Sequence, residues 1–148
     1  MFESVFSWFD SLYSEGLGEY LAGYTLVEEP DVFDYANADL FNVSGIVALT
    51  SAALIATLFY YVWNPSSRMR LKWFLTFGIT AVINFLVGFA LPYSDLINDN
   101  VFLPEGLSFS GFDCLMFGFS DFIVSAAFFI IISYTIRWWS RNNKYIPF

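Results

Sequence analysis

Three long apolar runs constrain this chain more than any other feature of its sequence. The first, Val43–Trp63, carries no charged residue. At a helical rise of about 1.5 Å per residue it reaches about 31 Å, which matches the hydrocarbon core of a bilayer. The other two runs are Trp73–Tyr93 and Asp113–Ile136. Only 14% of the residues are charged, against roughly 25% in soluble domains. The sequence therefore predicts an all-α integral membrane protein with three transmembrane helices.

The positions of the basic residues predict the orientation of these spans. All six lie in two places, the loop 64–72 and the tail 137–148: Arg68, Arg70 and Lys72, then Arg137, Arg141 and Lys144. Because basic loops stay in the cytoplasm, we expect both segments to be cytoplasmic. Residues 1–42 and the acidic loop 94–112 would then lie outside, giving an N-out, C-in topology. We expect the membrane to be an inner membrane, bacterial or phage-encoded in origin.

The first 42 residues hold nine acids and no base. Apolar and aromatic residues recur there every three or four positions, which predicts an amphipathic helix outside the membrane. Gly16 and Gly18 interrupt the pattern, so we expect a helix of about 14 residues and a second, short one. Its aromatic face has three open alternatives: the outer lipid headgroups, a partner, or a neighbouring copy. Residues 27–39 are interpreted as a solvated acidic tether or, alternatively, as a cation-attracting rim above a pore.

Small residues line one face of the first span. Ser44, Ala48, Ala52 and Ala56 follow each other at four-residue spacing. Because lipid tails are as apolar as Leu, helices associate in a membrane through close backbone approach at such residues. This face therefore predicts helix packing, either on another span or on another subunit.

One carboxylic acid, Asp121, lies inside the third span. Gly118, Asp121 and Ser125 share a helix face, and Asn84 lies near the middle of the second span. A charged Asp at mid-membrane costs about 2.5–3.5 kcal/mol on insertion scales, so we expect it to face protein or water. The spans contain no Lys or Arg to pair with it.

Three interpretations of Asp121 stay open. The acid is neutral, or is hydrogen-bonded to a neighbour such as Asn84, and specifies packing. Alternatively, copies of Asp121 form a ring along a water-filled cation path. In the third, Asp121 carries protons in a transporter or a motor stator.

The residue inventory argues against an enzyme. The chain has no His and a single cysteine, Cys114, so we expect no metal centre and no cofactor. It has no P-loop, no G-x-S-x-G elbow and no dinucleotide fingerprint. We also expect no nucleic-acid partner.

These observations favour a non-enzymatic accessory subunit of a membrane complex, whose partners are the bilayer and either its own copies or other membrane subunits. The alternative is a homo-oligomeric channel in which Asp121 and the acidic outer segment favour cations. Three spans, the N-out, C-in topology and a basic tail resemble class I phage holins in layout, which implies a pore. The long acidic N-terminal segment departs from that layout.

Overall fold

The computed structural model of the chain describes residues 2–26, 33–35, 38–63, 69–98, 100–101, 103 and 106–139. Its elements, in chain order, are α1 (Glu3–Phe6), a 3-10 helix (Ser7–Leu12), α2 (Glu15–Leu21), β1 (Tyr24–Leu26), β2 (Phe33–Tyr35), α3 (Leu40–Thr57) with a π-helical continuation (Leu58–Trp63), α4 (Met69–Ile97) and α5 (Gly111–Trp139). Among the basic residues used to predict orientation, Arg68, Arg141 and Lys144 lie outside the described residues.

The prediction of three helices long and apolar enough to cross a membrane is confirmed. These segments are Leu40–Val62, Arg70–Ile97 and Gly111–Ile136. Helices α4 and α5 each have 29 residues, or about 43 Å, so they exceed a hydrocarbon core of about 30 Å. The orientation of the spans stays a prediction.

The helices extend beyond the predicted boundaries. Helix α3 begins at Leu40 because the Asp39 side chain accepts the backbone N–H of Asn42 at 3.0 Å and caps its first turn. Helix α4 also extends past Tyr93, the predicted end of the second span, since it continues to Ile97 with Pro92 inside it. A proline removes one helical donor, and a helix continues where packing compensates for that loss.

Helix α5 packs on both α3 and α4. At one end of the bundle, Ala52 and Ala56 of α3 lie in a buried cluster with Trp73 and Phe129. The Trp73 and Phe129 rings are 5.6 Å apart. Small side chains on α3 thus let large rings from α4 and α5 fill that end of the core.

The N-terminal segment folds back onto the other end of the bundle. The expected 14-residue helix is wrong: α1 ends at Phe6, and the next six residues form a 3-10 helix. We call residues Phe2–Leu21 the N-terminal cap. Its buried apolar side chains pack with Phe41, Phe109 and Phe117. These side chains are Phe2, Phe6, Tyr13, Leu17, Tyr20 and Leu21. The aromatic face that we expected to meet lipid, a partner or another copy is therefore covered by its own chain.

Two three-residue strands follow the cap, and the other described elements are helical, as the all-α class predicts. Strands β1 and β2 pair antiparallel, with Tyr24 opposite Tyr35 and Leu26 opposite Phe33. Three of their six residues, Tyr24, Phe33 and Tyr35, are aromatic, and aromatic residues favour extended backbone. Residues 33–35 of the segment 27–39 lie in β2, while residues 27–32 and 36–37 lie outside the described part. The tether and rim interpretations of this segment therefore both stay predictions.

Replacing Phe6 by Ala tests whether the cap is integral to the fold. Phe6 is fully buried between Phe41 and Phe117, so its loss is expected to lower the free energy of unfolding by about 3–5 kcal/mol. Trp8→Ala is the matched control, because the Trp8 side chain is 83% exposed and its loss should change stability by less than about 0.5 kcal/mol. Thermal unfolding in mild detergent, followed by circular dichroism, measures both. Equal effects of the two substitutions would contradict the packing of the cap.

Candidate functional site

The Asp121 carboxyl group is enclosed between three helices. The residue has 0% of its surface exposed. Its Oδ2 accepts a hydrogen bond from the Ser44 hydroxyl of α3 at 3.0 Å. Its Oδ1 is buried and has no hydrogen-bond partner among the described residues. One chain thus encloses the acid and supplies a hydrogen-bond donor to one of its two oxygens.

Two glycines make room for this carboxyl group. A Cβ added to Gly88 of α4 would lie 2.9 Å from the Asp121 Cβ and 3.3 Å from the Gly118 Cα. A Cβ added to Gly118 of α5 would lie 2.9 Å from the Phe85 carbonyl oxygen. Real Cβ atoms do not approach other atoms so closely. Helices α4 and α5 therefore reach this separation only because both positions lack a side chain.

Asn84 forms a second polar contact, deeper in the bundle. Its amide Nδ2 donates to the Ser51 hydroxyl of α3 at 2.9 Å and to the Thr80 carbonyl oxygen at 2.8 Å. Asn84 therefore joins α4 to α3, and it is not the hydrogen-bond partner of Asp121. It lies four residues, or about 6 Å, along α4 from Gly88.

Ser125 and the small-residue face of α3 are also buried within this chain. Ser125 is buried, but its hydroxyl donates within α5 to the Phe122 carbonyl oxygen at 3.0 Å. The small-residue face of α3 is fully buried at all four positions, Ser44, Ala48, Ala52 and Ala56. Within this chain, the small-residue face packs on the other two spans.

Sequence reasoning missed the partner of Asp121. Ser44 was assigned to packing because it begins the small-residue face, and its hydroxyl was not considered as a donor. A signal existed: Ser44 lies near the start of its span and Asp121 in the same half of the third span. A search for hydroxyl groups at the depth of Asp121 along the other two spans would have included Ser44 as a hydrogen-bond donor.

The N-terminal cap covers the bundle directly above this site. The Phe6 ring lies 5.7 Å from the ring of Phe41 and 5.3 Å from that of Phe117, and those two are 5.9 Å apart. Phe41 precedes Ser44 by about one turn, and Phe117 precedes Asp121 by one turn. Three packed rings therefore separate the acid from the capped end of the bundle.

Polar contacts fix the cap in place. The Phe2 backbone N–H donates to Asn42 Oδ1 at 2.9 Å, and the Ser14 backbone N–H donates to Asp113 Oδ1 at 3.0 Å. The Tyr20 hydroxyl donates to Asp95. Burial, together with this contact to Asp95, raises the pKa of Tyr20 well above its usual value. The cap is thus bonded to the start of each of α3 and α5 and to the end of α4.

The exposed face of the cap carries an acidic groove of about 580 Å³. Its lining includes Glu3, Asp10, Glu15 and Glu19, with Tyr13 and Phe41. The Tyr13 hydroxyl donates to Asp10 Oδ1 at 2.8 Å, and burial together with this bond raises the pKa of Tyr13. The groove therefore combines aromatic surface with negative charge.

Comparison with protein-family models, curated proteins and solved structures gives no match to this chain. Among the described residues, no group of three or more His, Cys, Asp or Glu side chains is placed to hold a metal ion. The chemistry of the site therefore rests on its own geometry: a buried acid, a hydroxyl donor and a close helix contact.

The close approach at Gly88 predicts a position-specific effect of adding one methyl group. Gly88→Ala should lower the free energy of unfolding by about 1–3 kcal/mol, because the new Cβ overlaps Asp121. The control is Gly78→Ala on the same helix, where an added Cβ meets nothing within 4 Å. That substitution should be neutral or stabilise by up to about 1 kcal/mol. Detergent-solubilised protein unfolded by heat gives both values. A tolerated Gly88→Ala would refute the contact.

Proposed function

We propose that this chain is a non-enzymatic accessory subunit of a membrane assembly, oriented N-out, C-in, that does not conduct ions by itself. One observation carries the proposal: Asp121, the acid that would line the pore in the channel alternative, has 0% exposed surface within a single chain. An acid that selects ions must face a water-filled path. Here it faces Ser44 and Gly88 instead.

The capped end supports the same conclusion. The Phe6, Phe41 and Phe117 rings pack against one another above Asp121. A homo-oligomeric cation channel or a holin-like pore built around Asp121 would require this aromatic packing to open. It would also require the Ser44–Asp121 bond to break. The enclosed arrangement favours a structural role over conduction.

The surface that meets the rest of the assembly is, in this proposal, the acidic face of the cap. Glu3, Asp10 and Glu15 are exposed around the groove, and Trp8 on the same segment is 83% exposed. Exposed Trp side chains are frequent anchors of protein interfaces. Acidic residues around an apolar surface favour a partner segment that carries Lys or Arg together with apolar side chains.

Purification and conductance measurements separate the two functions. The accessory role predicts a purified chain in mild detergent that is monomeric by mass and passes no current in planar bilayers at any voltage. A defined homo-oligomer with cation currents that Asp121→Asn abolishes would establish the channel instead.

Charge reversal tests the proposed docking surface. The double substitution Glu3→Lys and Glu15→Lys should reduce recovery of partners with the affinity-purified chain from native membranes by at least about tenfold. The reason is that like charges oppose docking. The matched double substitution to Gln removes the charge without reversing it, and it should give an intermediate loss. Unchanged recovery with both double variants would contradict docking at this groove.

A further inference from the structure

Pro92 leaves one backbone acceptor in α4 without its helical donor. In an α-helix the N–H of residue 92 would donate to the carbonyl of residue 88, and proline has no N–H. Pro92 lies inside α4 and is buried. Because Pro92 is buried, a neighbouring side chain is a candidate to replace the lost donor at the freed carbonyl. A side chain that donates to this carbonyl must lie beside Gly88.

Asp121 lies beside that turn. A Cβ added to Gly88 would lie 3.0 Å from Asp121 Oδ2, so the carboxyl group packs directly on the Gly88 backbone. Oδ2 is already bonded to the Ser44 hydroxyl. Oδ1 is buried and lacks a partner among the described residues. The Gly88 carbonyl that Pro92 frees and the unpartnered Asp121 Oδ1 therefore belong to two residues that contact each other between α4 and α5.

Asp113, the other acid of α5, has the hydrogen-bond donors that stabilise a charged carboxylate. Asp113 accepts three hydrogen bonds: Oδ1 from the Ser14 N–H at 3.0 Å, and Oδ2 from the Ser110 N–H at 2.7 Å and the Ser110 hydroxyl at 2.8 Å. Such donors favour the ionised form. Within the described part of the chain, Asp121 accepts a single hydrogen bond. The basic residues of α4 lie at its opposite end, with Lys72 sixteen residues, or about 24 Å, from Gly88.

We propose that Asp121 is a proton-binding site, and that its protonated Oδ1 donates a hydrogen bond to the Gly88 carbonyl oxygen freed by Pro92. The carboxyl group takes the proton from water and holds it as O–H. Oδ2 stays the acceptor of the Ser44 hydroxyl. One neutral acid then connects all three spans: Ser44 on α3, Gly88 on α4 and Asp121 itself on α5. This assignment holds whichever assembly the chain joins.

Infrared spectroscopy of the purified chain in lipid bilayers tests the proton directly. A protonated carboxyl group has a carbonyl stretch that carboxylates lack, and ¹³C-labelled aspartate shifts it. The wild-type chain should show this band at neutral pH. It should be lost in Asp121→Asn and retained in the matched control Asp113→Asn. An absent band in the wild type, or a band that survives in Asp121→Asn, overturns the proposal.

A second variant tests the acceptor and does not depend on the folding of Asp121→Asn. Pro92→Ala returns an N–H to the Gly88 carbonyl, so the Asp121 hydroxyl competes for it and its hydrogen bond weakens. The acid band of this variant should move to higher frequency. A band that stays at the wild-type position would show that Gly88 is not the acceptor.

Discussion

The hydrogen bond from the Ser44 hydroxyl to the Asp121 carboxyl group is the interaction on which the rest of the structure depends. It joins α3 to α5 at a depth where no water replaces a lost partner. A buried acid without donors would destabilise the bundle by several kcal/mol. The chain meets this constraint with one hydroxyl and with Gly88 and Gly118, which bring the backbones of α4 and α5 close enough to enclose the acid.

The N-terminal cap covers the end of the bundle nearest to this buried acid. Phe6 closes the bundle over Phe41 and Phe117, one turn above the Ser44–Asp121 pair. Its polar contacts to the ends of the spans hold the ring in place. The aromatic side of the cap thus packs on its own bundle. Its acidic side stays exposed and, in the proposed accessory role, binds the partner.

The sequence was sufficient for the features that depend on local composition. Runs of about 20 apolar residues must cross a membrane as helices, because only helices satisfy their own backbone in lipid. Boundaries were less predictable, since Pro92 reads as a helix end and is instead inside α4. The three-residue pairing of β1 with β2 was also missed, because so short a strand has almost no periodicity.

Features that depend on tertiary contacts could not be predicted from the sequence. The period of the N-terminal segment indicated a buried face, but a period does not say which surface covers it. Likewise, Asp121 was recognised as needing a polar neighbour, and Asn84, near the middle of the second span, was named as an example. The structure pairs Asn84 with Ser51 instead, because depth and helix face decide contact.

A double-mutant cycle between Ser44 and Asp121 tests the central claim, that this acid is hydrogen-bonded to Ser44 inside its own chain. Ser44→Ala, Asp121→Leu and the double variant are unfolded as monomers in mild detergent. The structure predicts a coupling free energy of about 0.5–1.5 kcal/mol, the range found for side-chain hydrogen bonds between membrane helices. Strictly additive effects in the monomer would contradict the pairing and would reopen the interpretation of Asp121 as a pore-lining residue.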